Sequence, residues 1–363
     1  MTPDGAYGGP VRVSLNQASA LRIRGHSVTL AGAEQGFDER PEWAEGNPLV
    51  VRRAVRLLPR MGFAGLSAPG LLTWFLRNHG QFQAAHIHLA RDLVLLPLAM
   101  AMMRVRLPYV LQTHGMILPG AHPLADHTIV RKLLCHAHEV FYLTTDERDA
   151  LDEIAGGNAR LTPLPNGVPL YPAATHSRRV PEVLYLSRLH SRKRPVDFIT
   201  AANELNTRGV TATYTLVGAD EGEGRRVQEA AARTPNITWE GPVESGAAPA
   251  RMRQASMYVL PSLGPEPYPM AVLEAMSVGL PVVVTDQCGV APLIRKYQCG
   301  IVIEPGPASI ARAVEYLLSA PDIARSMGER GRSAVKHDLG MSYVGQRLEM
   351  SYAAASHDRR WLP

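Results

Sequence analysis

MYVLPSLGPEPYPMAVLEAMSVGLPVVVTD, residues 257–286, reads as strand, loop, helix and strand in immediate succession. MYVLPS at 257–262 and PVVVTD at 281–286 are short apolar runs with no polar alternation, the pattern of strands buried on both faces of a parallel sheet. The same switching extends in both directions. Upstream in this half, EVLYLS (182–187), ATYTLVG (212–218) and NITWEG (236–241) read as strands, and GIVIEP (300–305) follows downstream. In the first half the strands are SVTLAG (27–32), AAHIHL (84–89), YVLQT (109–113) and EVFYLT (139–144), with helices expected at about 11–24, 91–103, 127–138 and 146–155. Right-handed βα connections between such elements generate parallel sheets. The chain is therefore expected to be α/β, with two Rossmann-like domains facing across a deep cleft: residues 1–168, residues 169–340, and a C-terminal helix and tail at 341–363 that either stays with the second domain or crosses back to the first.

The division between the halves falls in PNGVPLYPAATHSRRVP, residues 165–181, where Pro, Gly and small residues interrupt both periodicities. At the other end, DGAYGGP (4–10) looks like a loop entering a helix, yet no apolar strand precedes it. Either a first strand lies upstream of the given start, which is the expectation, or this domain has an atypical first element.

Composition narrows the class. The 363 residues carry 38 Lys+Arg against 33 Asp+Glu, a mild excess that suits an anionic ligand without requiring one. A 46% hydrophobic fraction supports substantial cores and rules against wholesale disorder. Cys135, Cys288 and Cys299 contain no CxxC pair, which argues against a disulfide framework or a zinc ribbon and for a reducing compartment. LVLLPLAMAMM at 93–103 spans only about half of a bilayer core, and the first twenty residues lack the order of a secretion signal. Cytoplasmic residence is expected. Aromatic residues are 6% and no interleaved basic-aromatic tract is present, which speaks against nucleic acid as a partner.

The residues able to do chemistry cluster in the second half. Arg188 and Lys193, in LSRLHSRKRP, follow a strand and fit either a phosphate clamp or a solvated basic loop. Arg192 and Arg194 share the same loop. Glu266 precedes the helix of the opening stretch and Glu274 lies within it; eight residues at about 100° each would leave them about 80° apart on one helix, so Glu266 is placed in the entrance loop. Two such carboxylates suit sugar and ribose hydroxyls, or simply the positive end of the helix dipole. In the first half, Gly8 and Gly9 would let a diphosphate approach a helix start, although GAYGGP is neither GxGxxG nor a nucleotide P-loop. His114 in THG ends a strand, where local hydrogen bonding is the plain reading. His86 and His88 in HIH face one side of a strand, and no third metal ligand is identifiable. VRRAVRLLPR (51–60) mixes basic and apolar residues, as a solvated element edge or an anionic membrane contact would.

Over most of its length, from GAYGGP through GVP (167–169) to the helix after VVVTD, the chain resembles the retaining GT-B glycosyltransferases of glycosyltransferase family 4. The most specific piece is E-x7-E, Glu266 to Glu274, in EPYPMAVLEAMSVGLPVVVTD; Arg188 and Lys193 match the Arg and Lys of R-L-x-x-x-K, and RGHSVTL (24–30) matches an early loop and strand. The resemblance implies transfer of a sugar, with retention, from a nucleotide-diphosphate sugar to a hydroxyl acceptor that is a glycan, a lipid-linked molecule or a small molecule. It implies that Gly8, Gly9, Arg188, Lys193, Glu266, Tyr268, Pro269, Met270 and Glu274 bind the donor. Arg188, Lys193, Glu266 and His114 would act at the reacting centre, with a divalent metal dispensable. Peripheral contact with the inner face of an anionic membrane stays an option through VRRAVRLLPR (51–60), beside the plainer solvated edge. An inactive sugar-nucleotide-binding subunit and a sugar-nucleotide epimerase of the same fold are the alternatives. Two departures bear on donor preference. The family's E-G-F-G-x core is here Glu266-Pro267-Tyr268-Pro269-Met270, and its G-G-x-P-E pattern is Cys288-Gly289-Val290-Ala291-Pro292, without the acid.

Overall fold

Among the described residues, fourteen strands build the sheets. They are β1 (Leu30–Glu34), β2 (Leu49–Arg53), β3 (Val55–Arg56), β4 (Leu66–Ser67), β5 (Ala85–His88), β6 (Tyr109–Gln112), β7 (Glu139–Tyr142), β8 (Leu161–Pro163), β9 (Glu182–Leu186), β10 (Thr213–Val217), β11 (Ile237–Trp239), β12 (Met257–Leu260), β13 (Val282–Thr285) and β14 (Gly300–Ile303). The structure is a computed structural model, and it describes residues 8–35, 49–117, 126–175, 179–264 and 266–358. The chain divides into two units, one formed by Met1–Asn166 with Met341–Pro363 and the other by Gly167–Gly340.

The Gly167–Gly340 unit holds one six-stranded sheet in the order β11-β10-β9-β12-β13-β14. Every pairing in it is parallel. Chain order reverses between β9 and β12, the doubly wound arrangement whose switch point opens a crevice beyond the carboxyl ends of the strands. The apolar runs explain the sheet: Val183, Leu184 and Tyr185 of β9, all of β12 and all of β13 are buried, because helices cover both faces. One face packs Tyr185, Tyr214, Val259 and Val283 against Phe198, Ala202 and Leu205 of the helix Pro195–Thr207 and Val314 and Leu317 of Pro307–Ser319. A third helix, Met270–Val278, is buried at every position from Val272 onward and stops at Gly279 with φ 87°, a conformation that glycine adopts without strain.

The other unit carries a parallel four-stranded sheet, β5-β6-β7-β8, a parallel pair β1-β2 and an antiparallel pair β3-β4. Its core joins Ile87, Leu111 and Val140 of the sheet to Leu71 and Phe75 of the helix Pro69–Asn78 and to Leu98 and Met102 of Leu95–Arg104. The C-terminal helix Met341–Ser356 belongs to this unit: Val344 and Leu348 pack with Leu21 of the helix Gly8–Ile23 and with Val110 and Phe141. Gly345 sits against the same helix, where an added Cβ would come within 3.3 Å of the Ala20 Cβ.

Several boundaries differ from expectation for local reasons. The strand expected at 27–32 runs over Leu30–Glu34, because the amide of His26 caps back onto the Leu21 carbonyl and the Arg22 guanidinium bonds the Val28 carbonyl, 2.5 Å away, holding that segment outside the sheet. The helix expected from 91 begins at Leu95, since the Asp92 carboxylate accepts from the amides of Val94 and Leu95 at 2.8 and 2.6 Å and so fixes the first turn. The segment expected as one helix over 127–138 is a widened turn at Asp126–Val130 followed by Arg131–His136. The upstream strand, together with Gly5, Ala6 and Tyr7 of the N-terminal loop, lies outside the described residues. Among the described residues no helix is long and apolar enough to cross a membrane.

Candidate functional site

Three loops meet at the switch point of the six-stranded sheet. The first leaves β9 and turns tightly over Ser191–Lys193: the Lys193 amide donates to the His190 carbonyl at 2.8 Å, and Nδ1 of His190 accepts from the Arg192 amide at 3.1 Å. Arg194 then takes a left-handed conformation, φ 53°, before the helix Pro195–Thr207 begins. The second loop leaves β12 and carries Glu266. The third leaves β13 at Cys288-Gly289. Backbone bonds tie them together: Leu263 N–H to the Arg192 carbonyl (2.7 Å), Gly289 N–H to the Glu266 carbonyl (2.9 Å), and a bridge pairing Glu266 with Cys288. Gly264 N–H donates to Oε1 of Gln287 at 2.7 Å, and the Thr285 hydroxyl to the Ser262 carbonyl at 2.6 Å. Glycine is required at 289, where a Cβ would lie 2.0 Å from the Pro267 carbonyl oxygen.

This framework brings Lys193 and Glu266 together as an ion pair, with side chains only 10% and 15% exposed. Their surroundings are poor in water. Burial pushes the Cys288 thiol up to about 12 and holds the Tyr258 and Tyr268 hydroxyls well above the usual phenol range, so all three stay protonated. Ser262, 1% exposed, has a hydroxyl with no hydrogen-bond partner among the described residues. Glu274 is buried within the helix Met270–Val278. That helix begins at Met270, with Pro269 as the preceding cap residue, one position later than a proline at the first helical position would place it; no side chain caps it. The Val272 amide closes the first turn on the Pro269 carbonyl at 3.1 Å, and the proline side chain offers the preceding amides no acceptor.

Arg188 stands apart from the pair. Its guanidinium bonds the Glu221 carboxylate at 2.6 Å and is half exposed. The loop beneath it is close-packed against β10's exit, since a Cβ on Gly218 would sit 1.9 Å from the Ser187 carbonyl oxygen. Gly8 and Gly9 open the helix Gly8–Ile23, and among the described residues a Cβ at Gly9 would meet nothing within 4 Å.

In the Met1–Asn166 unit His114 also takes a left-handed backbone, φ 53°, followed by Gly115 at φ 72°. Such a conformation is uncommon for a residue with a side chain and persists only where neighbours hold it. Glu147 does so. Its buried carboxylate accepts from the Thr113 hydroxyl, from Gly115 N–H at 2.5 Å and from Leu143 N–H at 2.7 Å. Glu147 was not singled out from the sequence, but T-T-D-E at 144–147 is a capping-box signature, and Thr144 does accept from the Glu147 amide.

The imidazoles of His86, His88 and His114 form a stack, with centroids 4.6 and 5.0 Å apart and planes within 13° and 6°. His86 and His88 share one side of β5 with Ile87 buried opposite, as the alternation requires. Asn166 Oδ1 accepts from Gln112 Nε2 at 3.0 Å and from His114 Nδ1 at 3.2 Å, which leaves Nε2 of His114 to accept from His88 Nδ1 at 2.7 Å. Both ring nitrogens of His114 are thus used inside the unit. His86 Nδ1 lies 2.8 Å from the Tyr352 hydroxyl. Burial holds His86 down to about 3 and His114 down to about 4, and His88 well below its ordinary value, so the stack is neutral at pH 7. Among the described residues no group of three or more His, Cys, Asp or Glu side chains is arranged to hold a metal ion.

The family model described as glycosyl transferases group 1 matches residues 173–334, and that described as a glycosyl transferase 4-like domain matches residues 8–167. The chain belongs to the group 1 glycosyl transferases. Its fold is GT-B, and it is a glycosyltransferase, as the resemblance implied. This group 1 glycosyl transferase is 28% identical over 331 residues to alpha-D-kanosaminyltransferase of Streptomyces kanamyceticus, a match covering 80% of this chain and 83% of that protein. Among solved structures, HepE of Anabaena in complex with UDP superposes with a TM-score of 0.77 at 17% identity, covering 97% of this chain and 98% of that one. A glycosyltransferase from Rickettsia africae superposes with a TM-score of 0.76 at 16% identity, covering 99% and 97%.

Proposed function

We propose that this glycosyltransferase takes a nucleoside-diphosphate sugar as donor and transfers the sugar to a hydroxyl acceptor with retention of configuration. The observation that carries the reading is the low-exposure Lys193–Glu266 pair at the switch point of the six-stranded sheet, beside a helix start that no side chain caps. An open sheet of this kind offers its ligand crevice there. A diphosphate arriving at the site finds a cation on a turn fixed by its own backbone and an uncapped helix N-terminus. Solved structures of HepE hold UDP or UDP-glucose, which supports a nucleotide sugar and makes UDP-hexoses the first donors to try.

In this reading Lys193 neutralises charge that grows on the departing diphosphate, a contribution larger in the transition state than in the ground state. Glu266 orients the donor sugar and supports the electron-poor anomeric centre. Arg188, released from Glu221, adds a second cation, while the amides of Met270 and its neighbours hold phosphate oxygens. Tyr268 and Pro269 shape the turn. Glu274 receives the nucleotide ribose. Gly8 and Gly9, at the start of the helix Gly8–Ile23, keep the donor-binding role that the family resemblance implies. His114 serves the sugar through its backbone, because its ring is engaged by Asn166 and His88. No residue in this scheme requires a divalent metal.

The test is a calorimetric screen of UDP, GDP, ADP and dTDP, followed by mass-detected transfer from the matching sugars. Binding of one nucleotide, lost in Lys193→Ala, is the expected outcome. Binding unaffected by that substitution would overturn the site, and tight donor binding without transfer to any glycan, lipid-linked or small acceptor would favour a binding subunit instead.

A further inference from the structure

The segment between β2 and β4 makes a surface that the transferase site does not use. Residues 52–61, RRAVRLLPRM, are exposed at every position whose side chain is described except Ala54. Val55, Leu57, Leu58 and Met61 are 42, 56, 44 and 46% exposed, an unusual share of large apolar side chains for one short stretch. Arg52, Arg53, Arg56 and Arg60 alternate with them. None of the four guanidiniums is paired with a described carboxylate; Arg52 and Arg56 bond only the carbonyls of Val51 (2.8 Å) and Gly62 (3.3 Å). From Leu49 to Arg91 the sequence contains no acidic residue, and the carboxylate in strand register with Arg53 is Glu34.

The display is held from below. Ala54 N–H donates to the Glu34 carbonyl at 2.7 Å, Val55 and Arg56 pair with Ser67 and Leu66, and the amides of Leu57 and Leu58 both reach the Gly65 carbonyl. Gly65 is packed so closely under the loop that a Cβ would lie 2.1 Å from the Leu58 carbonyl oxygen. The apolar side chains are therefore turned outward on a clip that its own backbone closes.

We propose that this clip docks the protein on an anionic lipid bilayer, with the four arginines at the headgroup level and Leu57, Leu58 and Met61 entering the interface. Charge complementarity selects the partner: interleaved aliphatic and arginine side chains fit a surface that is negative outside and apolar just beneath. A nucleic acid would use aromatic stacking, and the described side chains of the patch are aliphatic. The inference rests on the surface of the Met1–Asn166 unit and is independent of the nucleotide-sugar reading.

The test is cosedimentation of the full chain with phosphatidylcholine vesicles with and without phosphatidylglycerol, at low and high salt. Wild type should pellet with the anionic vesicles alone and be released by salt. R53Q/R56Q/R60Q should lower partitioning by about 100-fold, from about fivefold per positive charge removed, and R53K/R56K/R60K should retain it. L57S/L58S keeps the charge and should lose about tenfold through lost apolar burial. Unchanged melting curves in the variants confirm that the clip still folds. Equal binding to both vesicle types, or no binding, overturns the proposal. So does wild-type binding by L57S/L58S, which would make the patch a site for soluble polyanions.

Discussion

The Lys193–Glu266 pair lends itself to a double-mutant cycle whose outcome can be worked out beforehand. Both side chains are nearly buried, at 10% and 15% exposure, so removing one partner leaves the other charge without its counterion in a water-poor pocket. Breaking such pairs costs about 3–5 kcal/mol, and the residual exposure here places the expected loss at about 3 kcal/mol. Lys193→Met keeps the aliphatic stem while deleting the charge. For a domain of this size about 1 kcal/mol moves the midpoint by about 2–4 °C, so Lys193→Met and Glu266→Leu should each lower it by about 6–12 °C. The double variant removes both charges and should recover to within about 2 kcal/mol of wild type, because an apolar pair can replace a buried ion pair. Thermal denaturation of the four proteins measures the coupling. Losses that simply add would refute the idea that the two charges depend on each other. The same pair sets a functional expectation. Glu266→Gln frees Lys193 from its carboxylate, so nucleotide affinity should hold or rise while transfer falls by about 100-fold. A variant that binds more weakly and transfers normally would contradict the assigned roles.

Other sites give sharper single tests. Gly289→Ala places a methyl 2.0 Å from the Pro267 carbonyl oxygen and should cost about 1–3 kcal/mol by urea denaturation while weakening nucleotide binding; a neutral result would mean the loop yields freely. Glu147→Gln puts an amide NH2 against backbone N–H donors and should destabilise by about 2 kcal/mol, with the His114–Gly115 turn losing amide-exchange protection first. The histidine stack predicts a pH dependence. His86 and His114 have folded values near 3 and 4 against 6.5 ordinarily, so the unfolded chain binds more protons in that window. Their contribution to stability is complete above pH 6.5 and falls by up to about 1.4 kcal/mol per pH unit for each residue as pH drops toward 4. His86→Phe should flatten the decline seen by urea titration between pH 6.5 and 4, and an unchanged slope would refute the assignment.

Elements that reveal themselves in sequence are those buried on two faces. Val282–Thr285 and Met257–Leu260 are buried at every position and almost wholly apolar because helices cover both sides of the sheet, so no alternation is needed to find them. β2 escapes such a search: LVVRR ends in arginines that stand exposed. β8 is three residues closing on Pro163, and the helix Pro69–Asn78 sits in a stretch whose small residues mask its start. Glu266 and Lys193 carry motif-level signals, and their pairing in space follows from β9 and β12 being neighbours at the switch point, which local pattern does not encode. Arg188 shows the reverse. Its position in the motif says nothing of Glu221, which lies in a different loop and takes the guanidinium.

The two departures from the family pattern are physically one feature. Where the pattern has glycines, this chain has Pro267 and Pro269, and each removes a backbone N–H from the loop beside Glu266. The carbonyl of Pro267 in turn presses on Gly289, in the segment whose acid is missing, and Glu266 pairs through its backbone with Cys288. Proline narrows the conformations open to the free chain, so less ordering remains to be done when a ligand arrives. The loop thus exchanges amide donors for rigidity. A donor whose sugar is recognised by Glu266 and by the helix start from Met270 is accommodated by that exchange, whereas one that depends on amides at 267 and 269 is disfavoured. Restoring glycine at both positions, Pro267→Gly with Pro269→Gly, should therefore broaden the range of sugars accepted while lowering the melting temperature. A narrower range together with higher stability would show that the prolines act in some other way.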